Sequence, residues 1–192
     1  ATCQADFAFV VEKGTTTVNF KDASKNADKL TWKFGDSETA IDDASPKHVY
    51  ADKGYYIVEL IAENSGNGCV SSAVQVVNVG MTQTGLFAGF KFKLDTTGNS
   101  KGVFPADFKG ASYGDPSEVE WDFGDGSSNS NTFAPSHIYD TTGTYLVCMT
   151  VKDFVTGDSA TSCDYVTIEA PQSVAERNMV AQPSMEVSPN PF

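Results

Sequence analysis

The residues that could support catalysis in this sequence are few and poorly arranged for it. The only two histidines are His48 and His137. The segment Gly98 to Gly102 matches the G-x-S-x-G pattern of hydrolases, but that pattern needs a strand, a tight turn and a helix to expose its serine. The sequence contains no metalloprotease, phosphate-binding or dinucleotide-binding motif. These observations predict that the chain is not an enzyme.

The four cysteines offer a second kind of chemistry, the formation of disulfide bonds. Cys148 and Cys163 lie out of phase with the apolar residues around them, and a turn just after Val155 would bring them face to face. Cys3 precedes the first strand of the first half, and Cys69 opens its last strand. One bond in each half is the simplest of the three connectivities that four cysteines allow. Paired cysteines predict an oxidising compartment, and no C-x-x-C spacing suggests zinc or redox chemistry.

An internal repeat identifies the elements that must position these residues. The segment Trp32–Ser37 recurs as Trp121–Gly126 at an offset of 89 residues. Upstream, residues 18–24 match residues 106–112 at an offset of 88. The chain therefore contains two copies of one module and a tail. The predicted domains are residues 1–80 and 81–170, with the tail at 171–192.

Both copies show the alternation of apolar and polar residues that predicts β-strands. In Tyr56–Ala62 and Tyr145–Val151 the apolar residues recur with a period of two, which places one apolar face inward. Turn residues separate such runs, and no stretch of about 12 residues has helical spacing. Short strands with regular turns predict an all-β fold in which each copy is an antiparallel β-sandwich.

The repeated motifs resemble those of the PKD (polycystic kidney disease) repeat domain, whose fold is an immunoglobulin-like sandwich. The family pattern is W-D-F-G-D-G, then N/S-P-x-H-x-Y, then G-x-Y-x-V. The second copy follows it at Trp121–Gly126, Pro135–Tyr139 and Gly143–Val147, whereas the first copy departs at Lys33 and Ser37. The resemblance implies two tandem immunoglobulin-like (PKD-type) antiparallel β-sandwiches.

The chemistry of the repeated side chains points to a structural role. Each copy has a Trp in mid-strand, where an indole supplies a large buried surface. The Gly-Asp pairs offer unusual backbone dihedrals and a carboxylate for turn amides. A Tyr after a Gly at a strand start can close a corner through its hydroxyl. The histidines occupy equivalent positions, which fits a requirement of the fold better than a general base. These residues are Trp32, Trp121, Asp36, Asp125, His48, His137, Tyr56 and Tyr145.

The resemblance also implies a calcium site in the second copy. Some relatives of this domain bind calcium at one end of the sandwich, through an acid near the Trp strand and another after the penultimate strand. The matching acids are Glu120, Asp122 and Asp153, whose oxygens suit calcium. The first copy has Thr, Lys and Asn at these places, so we expect no site there. The alternative is that the three acids are ordinary exposed strand residues.

Three short motifs and the tail indicate export. The motifs resemble a D-[ST]-small O-glycosylation pattern in predicted turns, with Thr96, Thr141 and Ser159 as acceptors. The ending Glu186–Phe192 resembles the opening V-x-P-N-P-F of the C-terminal sorting domain of type IX secretion cargo; a Pro-rich linker is the alternative. A chain that begins with Ala1 suggests a removed signal peptide. We expect an extracellular or cell-surface protein of a Gram-negative bacterium.

Charge and hydropathy exclude two classes of partner. A net charge of −12 argues against nucleic acid, which requires a basic surface. No segment approaches the roughly 18 apolar residues of a membrane span. A hydrophobic content of 40% fits a folded domain rather than a disordered tail.

These inferences predict a non-catalytic extracellular adhesion or binding protein whose partner is a protein or a carbohydrate, with no cofactor other than calcium. A structural spacer, or a subunit of a surface filament or larger assembly, is one alternative, and an accessory part of a secreted enzyme is another. A row of exposed aromatic side chains would favour ligand binding, with Tyr55, Tyr113 and Phe154 as candidates. Exposed strand edges would favour assembly.

Overall fold

The computed structural model describes residues 2–82, 85–95 and 102–169. These residues form fourteen strands, and none of them forms a helix that could cross a membrane. Module 1 contains β1 (Phe7–Val11), β2 (Thr17–Asp22), β3 (Lys29–Lys33), β4 (Thr39–Ile41), β5 (Lys47–Val49), β6 (Gly54–Asn64) and β7 (Cys69–Val79). Module 2 contains β8 (Phe87–Leu94), β9 (Phe104–Tyr113), β10 (Glu118–Asp122), β11 (Ser128–Ser130), β12 (Ser136–Tyr139), β13 (Gly143–Lys152) and β14 (Ser159–Ile168).

Each module pairs a three-stranded sheet with a four-stranded sheet. Module 1 has the orders β1-β2-β5 and β4-β3-β6-β7, and module 2 has the orders β8-β9-β12 and β11-β10-β13-β14. Neighbouring strands run antiparallel throughout. The structure confirms the predicted all-β, immunoglobulin-like fold, and the sequence repeat is a repeat of topology.

A Trp from the four-stranded sheet lies at the centre of each core. Trp32 is 0% exposed and Trp121 is 1% exposed. A Phe of the opposite sheet meets each indole edge-on, since Phe7 and Phe90 each lie 5.2 Å from the nearer Trp between ring centroids. Such edge contacts suit the charge distribution of aromatic rings. Both cores therefore join their two sheets through the predicted tryptophans.

One disulfide bond closes each module, as the sequence predicts. Cys3 bonds Cys69 with a Cα–Cα distance of 5.8 Å, which ties the N-terminal segment to the start of β7. Cys148 bonds Cys163 across the β13–β14 ladder with a Cα–Cα distance of 4.1 Å. Val147 on the adjacent position is fully buried, so the second bond lies on the outer face of its sheet.

Candidate functional site

The histidines of the repeated motif belong to packed clusters and not to an open catalytic centre. His48 is buried, with its ring stacked on Phe34 at 4.1 Å between centroids. Its Nε2 lies 2.6 Å from Oδ2 of Asp36. The Tyr50 hydroxyl donates to the Phe34 carbonyl at 3.0 Å and completes the cluster. The contacts support the structural role expected for the motif.

Module 2 repeats this cluster and adds a serine. His137 Nε2 lies 2.7 Å from Asp125 Oδ2 and 3.4 Å from the Ser127 hydroxyl. A serine–histidine–aspartate triad needs the serine and the acid on opposite ring nitrogens. Here both lie at Nε2, so the acid cannot orient the ring toward the serine. The cluster is not arranged as a triad.

Hydrogen bonds keep the motif carboxylates ionised. Burial of the Asp125 carboxyl opposes its ionisation, but hydrogen bonds from Ser127 and from the His137 ring outweigh it and lower its pKa to about 2. Burial likewise opposes ionisation of Asp36, and the hydrogen bond from His48 contributes most to the net lowering of its pKa. Each carboxylate thus stabilises its turn and its histidine.

The two corner tyrosines act as the sequence predicts. The Tyr56 hydroxyl donates to the Asp52 carbonyl at 2.9 Å. The Tyr145 hydroxyl donates to the Thr141 carbonyl, also at 2.9 Å. Both bonds close the chain reversal that precedes a long strand, which is the tyrosine corner of immunoglobulin-like domains.

The acids predicted to bind calcium do not converge. Asp122 lies opposite Cys148 in the β10–β13 pairing, five residues from Asp153, a span of about 17 Å along β13. Because β10 and β13 are antiparallel, their C-terminal ends lie at opposite ends of the sheet. The described residues contain no group of three metal-ligating side chains. Calcium therefore remains a prediction without a formed three-acid site.

The three acids have separate protein partners. Glu120 accepts a hydrogen bond from the ammonium of Lys152. Asp122 accepts one from the Gly124 amide at 2.9 Å. Asp153 accepts one from the Val155 amide at 2.8 Å, and this bond lowers the pKa of its carboxyl.

The candidate glycosylation acceptors occupy different settings. Thr141 is exposed at the bend before β13, where its hydroxyl lies 2.8 Å from that of Tyr145. Ser159 is the exposed first residue of β14, directly after the loop that joins β13 and β14. Thr96 and the tail motif Glu186–Phe192 lie outside the described residues. Their modification and sorting roles remain predictions.

Two of the three candidate exposed aromatics instead join the modules. Tyr55 on the outer face of β6 stacks on Phe87 at 4.7 Å between centroids and contacts Tyr113 at 5.3 Å. Both tyrosines are half-buried. Phe154 is exposed, as expected, and Tyr165, which the sequence analysis did not single out, is exposed as well. We call the contact between the outer faces of β6–β7 and β8–β9 the junction.

Shape complementarity extends the junction along the strands. Gly89 faces Ile57, and a Cβ atom at Gly89 would clash with the Ile57 Cδ1 atom. Beside this pair, Val76 and Ala111 are buried, although both point away from the core of their own module. The Lys109 ammonium donates to the Ser72 carbonyl across the junction. The modules thus meet through packed side chains.

Next to these contacts the two faces diverge and enclose a cleft of about 450 Å³. We call it the junction cleft. Module 1 supplies residues of β6 and β7, and module 2 supplies residues of β8 and β9. The lining residues are Glu59, Ile61, Glu63, Val70, Ser71, Ser72, Lys91, Phe92, Lys93, Asp107 and Lys109. A concave surface that mixes apolar and charged side chains is typical of a ligand site.

The fold and its paired motifs define two tandem immunoglobulin-like modules. The chain belongs to the PKD domain family, whose model matches residues 4–79 and 91–168. PKD domains are in general non-catalytic modules, so family membership identifies an extracellular binding or structural module.

Solved structures similar to this chain include two PKD1 domains. The domain from Vibrio cholerae metalloprotease PrtV has 25% identity and a TM-score of 0.38, and the match covers 42% of this chain and 100% of that one. The domain from Vibrio anguillarum Epp has 18% identity and a TM-score of 0.37, covering 41% and 94%. A carbohydrate-binding module of the β-sandwich superfamily has 12% identity and a TM-score of 0.38, covering 90% and 82%.

Proposed function

We propose that this chain is a non-catalytic adhesion module pair that acts outside the cell and binds carbohydrate or protein. The observation that supports this most is the junction cleft, because neither module alone would enclose it. The disulfide in each module supports an oxidising, extracellular setting.

A bead assay tests the adhesion function. Beads coated with the chain are washed over arrayed saccharides and extracellular proteins, and retention is measured. We expect retention on at least one class of surface, and much weaker retention for Ile57→Asp, which places a charge in the junction. Absence of retention on every surface would contradict an adhesion role.

We further propose that a Gram-negative bacterium exports the protein to its surface and glycosylates it at Thr96, Thr141 or Ser159. The supporting observations are the exposure of Thr141 and Ser159 and the sequence of the tail. Intact-mass and peptide analysis of the secreted protein should show hexose-containing adducts on these residues. An unmodified mass would contradict the glycosylation.

A second candidate function is that of a subunit in a larger extracellular assembly. The open outer face of β13–β14 around Leu146 and Tyr165 favours it, because the equivalent face of module 1 is covered by another PKD module. The expected occupant is therefore a further sandwich module of this kind. Hydroxyl-radical footprinting should show Tyr165 protected in native extracellular material and oxidised in the isolated chain, with Phe154 oxidised in both. Equal oxidation of Tyr165 would contradict the assembly.

A further inference from the structure

The lysines of this acidic protein are concentrated at the junction cleft. The chain has twelve lysines and a net charge of −12. Three of the lysines line the cleft on the module 2 side, and two more pair with the glutamates of the opposite wall. These five are Lys29, Lys33, Lys91, Lys93 and Lys109. Three carboxylates, those of Glu59, Glu63 and Asp107, also line the cleft, so the positive excess of this region comes from Lys29 and Lys33 beside the glutamates.

The opposite wall does not neutralise the module 2 lysines. The Glu59 carboxylate is 3.0 Å from the Lys33 ammonium, and the Glu63 carboxylate is 3.4 Å from that of Lys29. Glu59 is well shielded, with its side chain 13% exposed. Among residues 2–82, 85–95 and 102–169, none of the three module 2 lysines forms an ion pair. Asp107 lies directly opposite Lys93 in the β8–β9 ladder and offsets its charge, so the charge left for a ligand is mainly that of Lys91 and Lys109.

The strand register places two of these lysines against each other. Lys91 lies directly opposite Lys109 in the β8–β9 ladder, and like charges at directly opposite positions destabilise a sheet. Lys109 is half-buried, and its ammonium donates to the Ser72 carbonyl. A locally unfavourable arrangement of this kind is expected at a functional site. A bound anion between the two ammonium groups would relieve the repulsion.

Apolar side chains lie between the charges. Ile61 and Val70 line the module 1 wall, whereas Phe92 borders the cleft but packs its ring against Phe108 in the module 2 core. Ser71 and the glutamates add hydroxyl and carboxylate groups that could hydrogen-bond a ligand's hydroxyls. The cleft volume of about 450 Å³ falls within the range of small-ligand sites. An acidic sugar combines carboxylates, hydroxyls and apolar C–H faces, which match the groups of the cleft.

We propose that the junction cleft binds a saccharide that carries carboxylate groups, with Lys91, Lys93 and Lys109 as the recognition residues. The proposal rests on the proposed binding function and names its ligand class. A densely charged polyanion fits less well, because the chain as a whole would repel it.

An acidic peptide fits this cleft less well than a saccharide does. Peptides often add to the edge of a sheet through main-chain hydrogen bonds. On edge strand β7, the Ser72 carbonyl already accepts from Lys109, and the Ser71 hydroxyl accepts from the Ala5 amide at 3.1 Å. A protein group therefore already occupies the Ser72 carbonyl, one of the main-chain groups that an added peptide strand would use at this edge.

Calorimetric titration of the full chain with trigalacturonate, and with neutral trigalactose as the matched probe, tests the proposal. We expect trigalacturonate to bind, to weaken at high salt, and to bind at least ten-fold more tightly than trigalactose. The double variant Lys91→Ala/Lys93→Ala should lose at least ten-fold in affinity. The control Lys13→Ala/Lys25→Ala removes two exposed lysines of module 1 and should bind normally. Melting curves confirm that both variants fold.

Three outcomes would overturn the proposal: equal binding of the two sugars, unchanged binding by the cleft variant, or binding of a polyglutamate peptide in place of trigalacturonate. The bead assay separates this result from the adhesion function. If the beads adhere but the cleft variant adheres equally well, the function stands and the cleft proposal fails. If trigalacturonate binds as expected and the beads adhere to nothing, the site stands and the adhesion role fails.

Discussion

The equivalent outer faces of the two modules differ in burial, since one is covered by the other module and one is exposed. Ile57 and Val76 are cross-strand partners in module 1, and their equivalents at the repeat offset, Leu146 and Tyr165, are partners in module 2. Val76 is 5% exposed beneath module 2, whereas Leu146 is 45% and Tyr165 67% exposed. Both pairs are apolar, so apolar character alone does not decide burial. A complementary surface decides it. In module 2 that surface includes the space above Gly89, which receives the Ile57 side chain and is called the notch.

The same comparison explains where the second disulfide lies. Cys148 and Cys163 occupy the positions that Glu59 and Val74 hold in module 1. In module 1 this place forms a wall of the junction cleft, and in module 2 it carries a covalent bond on an open face. Equivalent strand positions thus border a cleft in one copy and carry a disulfide in the other.

The largest contrast concerns the two disulfides. Cys3–Cys69 closes a separation of 66 residues and Cys148–Cys163 one of 15, so chain entropy predicts losses of about 4 and about 3 kcal/mol when each pair is changed to Ser. Urea denaturation of the two double variants measures both losses. A larger loss for the Cys148–Cys163 pair would show that strain or local packing outweighs loop length.

The difference in burial between the two outer faces is tested most directly by placing a charge at equivalent positions of the two modules. Ile57→Asp should destabilise module docking by roughly 2 to 3 kcal/mol, because it places an unpaired polar group in the junction. Leu146→Asp should change stability by less than about 0.5 kcal/mol, because the site is exposed. Small-angle scattering should show a larger radius of gyration for the first variant only. Equal dimensions for the two variants would contradict the junction.

The Asp–His pair of the repeated motif occurs in both modules and should make their stability sensitive to acid. The Asp125 pKa of about 2 lies below its ordinary value of 3.8, so its contribution of about 2 kcal/mol is complete above pH 4 and is lost as pH falls toward 2. Asp125→Asn should remove this part of the pH dependence of unfolding. Asp36→Asn serves as the module 1 counterpart. An unchanged pH profile in Asp125→Asn would contradict the assignment.

The prediction with the smallest expected effect concerns the contact between Gly89 and Ile57. Gly89→Ala should destabilise docking by about 1 kcal/mol, because its methyl group meets Ile57 and packed sites tolerate added volume poorly. Gly85→Ala is the control, since a Cβ atom there meets no atom within 4 Å. The double variant Ile57→Ala/Gly89→Ala should recover part of the loss in thermal unfolding. Equal effects at the two glycines would argue against the notch.

The sequence predicted each module well, because the relevant signals are local. The period of two in Tyr145–Val151 and the motif Trp121–Gly126 specify strands and a turn without reference to distant residues. The Cys148–Cys163 bond followed from the phase of one hairpin. Family resemblance added the immunoglobulin-like topology of the sandwich, which local patterns leave open.

The junction could not be predicted, because it depends on how two folded units meet. The sequence predicts that Tyr55 and Tyr113 are exposed, because each lies on the outer face of its own module. The position of Lys91 opposite Lys109 is known only from the β8–β9 register. The sequence alone shows that Lys91 and Lys93 share one strand face. The separation of Asp122 from Asp153 also depends on the antiparallel β10–β13 register, which the sequence does not give.

The central claim is that the two modules form one docked unit with a cleft between them. Backbone N–H residual dipolar couplings of the full chain, measured in a weakly aligning medium, test it directly. We predict that one alignment tensor fits the couplings of strands β1–β7 and β8–β14 together. Tensors of different magnitude or orientation for the two modules would contradict the account, because independently moving modules would not keep a cleft.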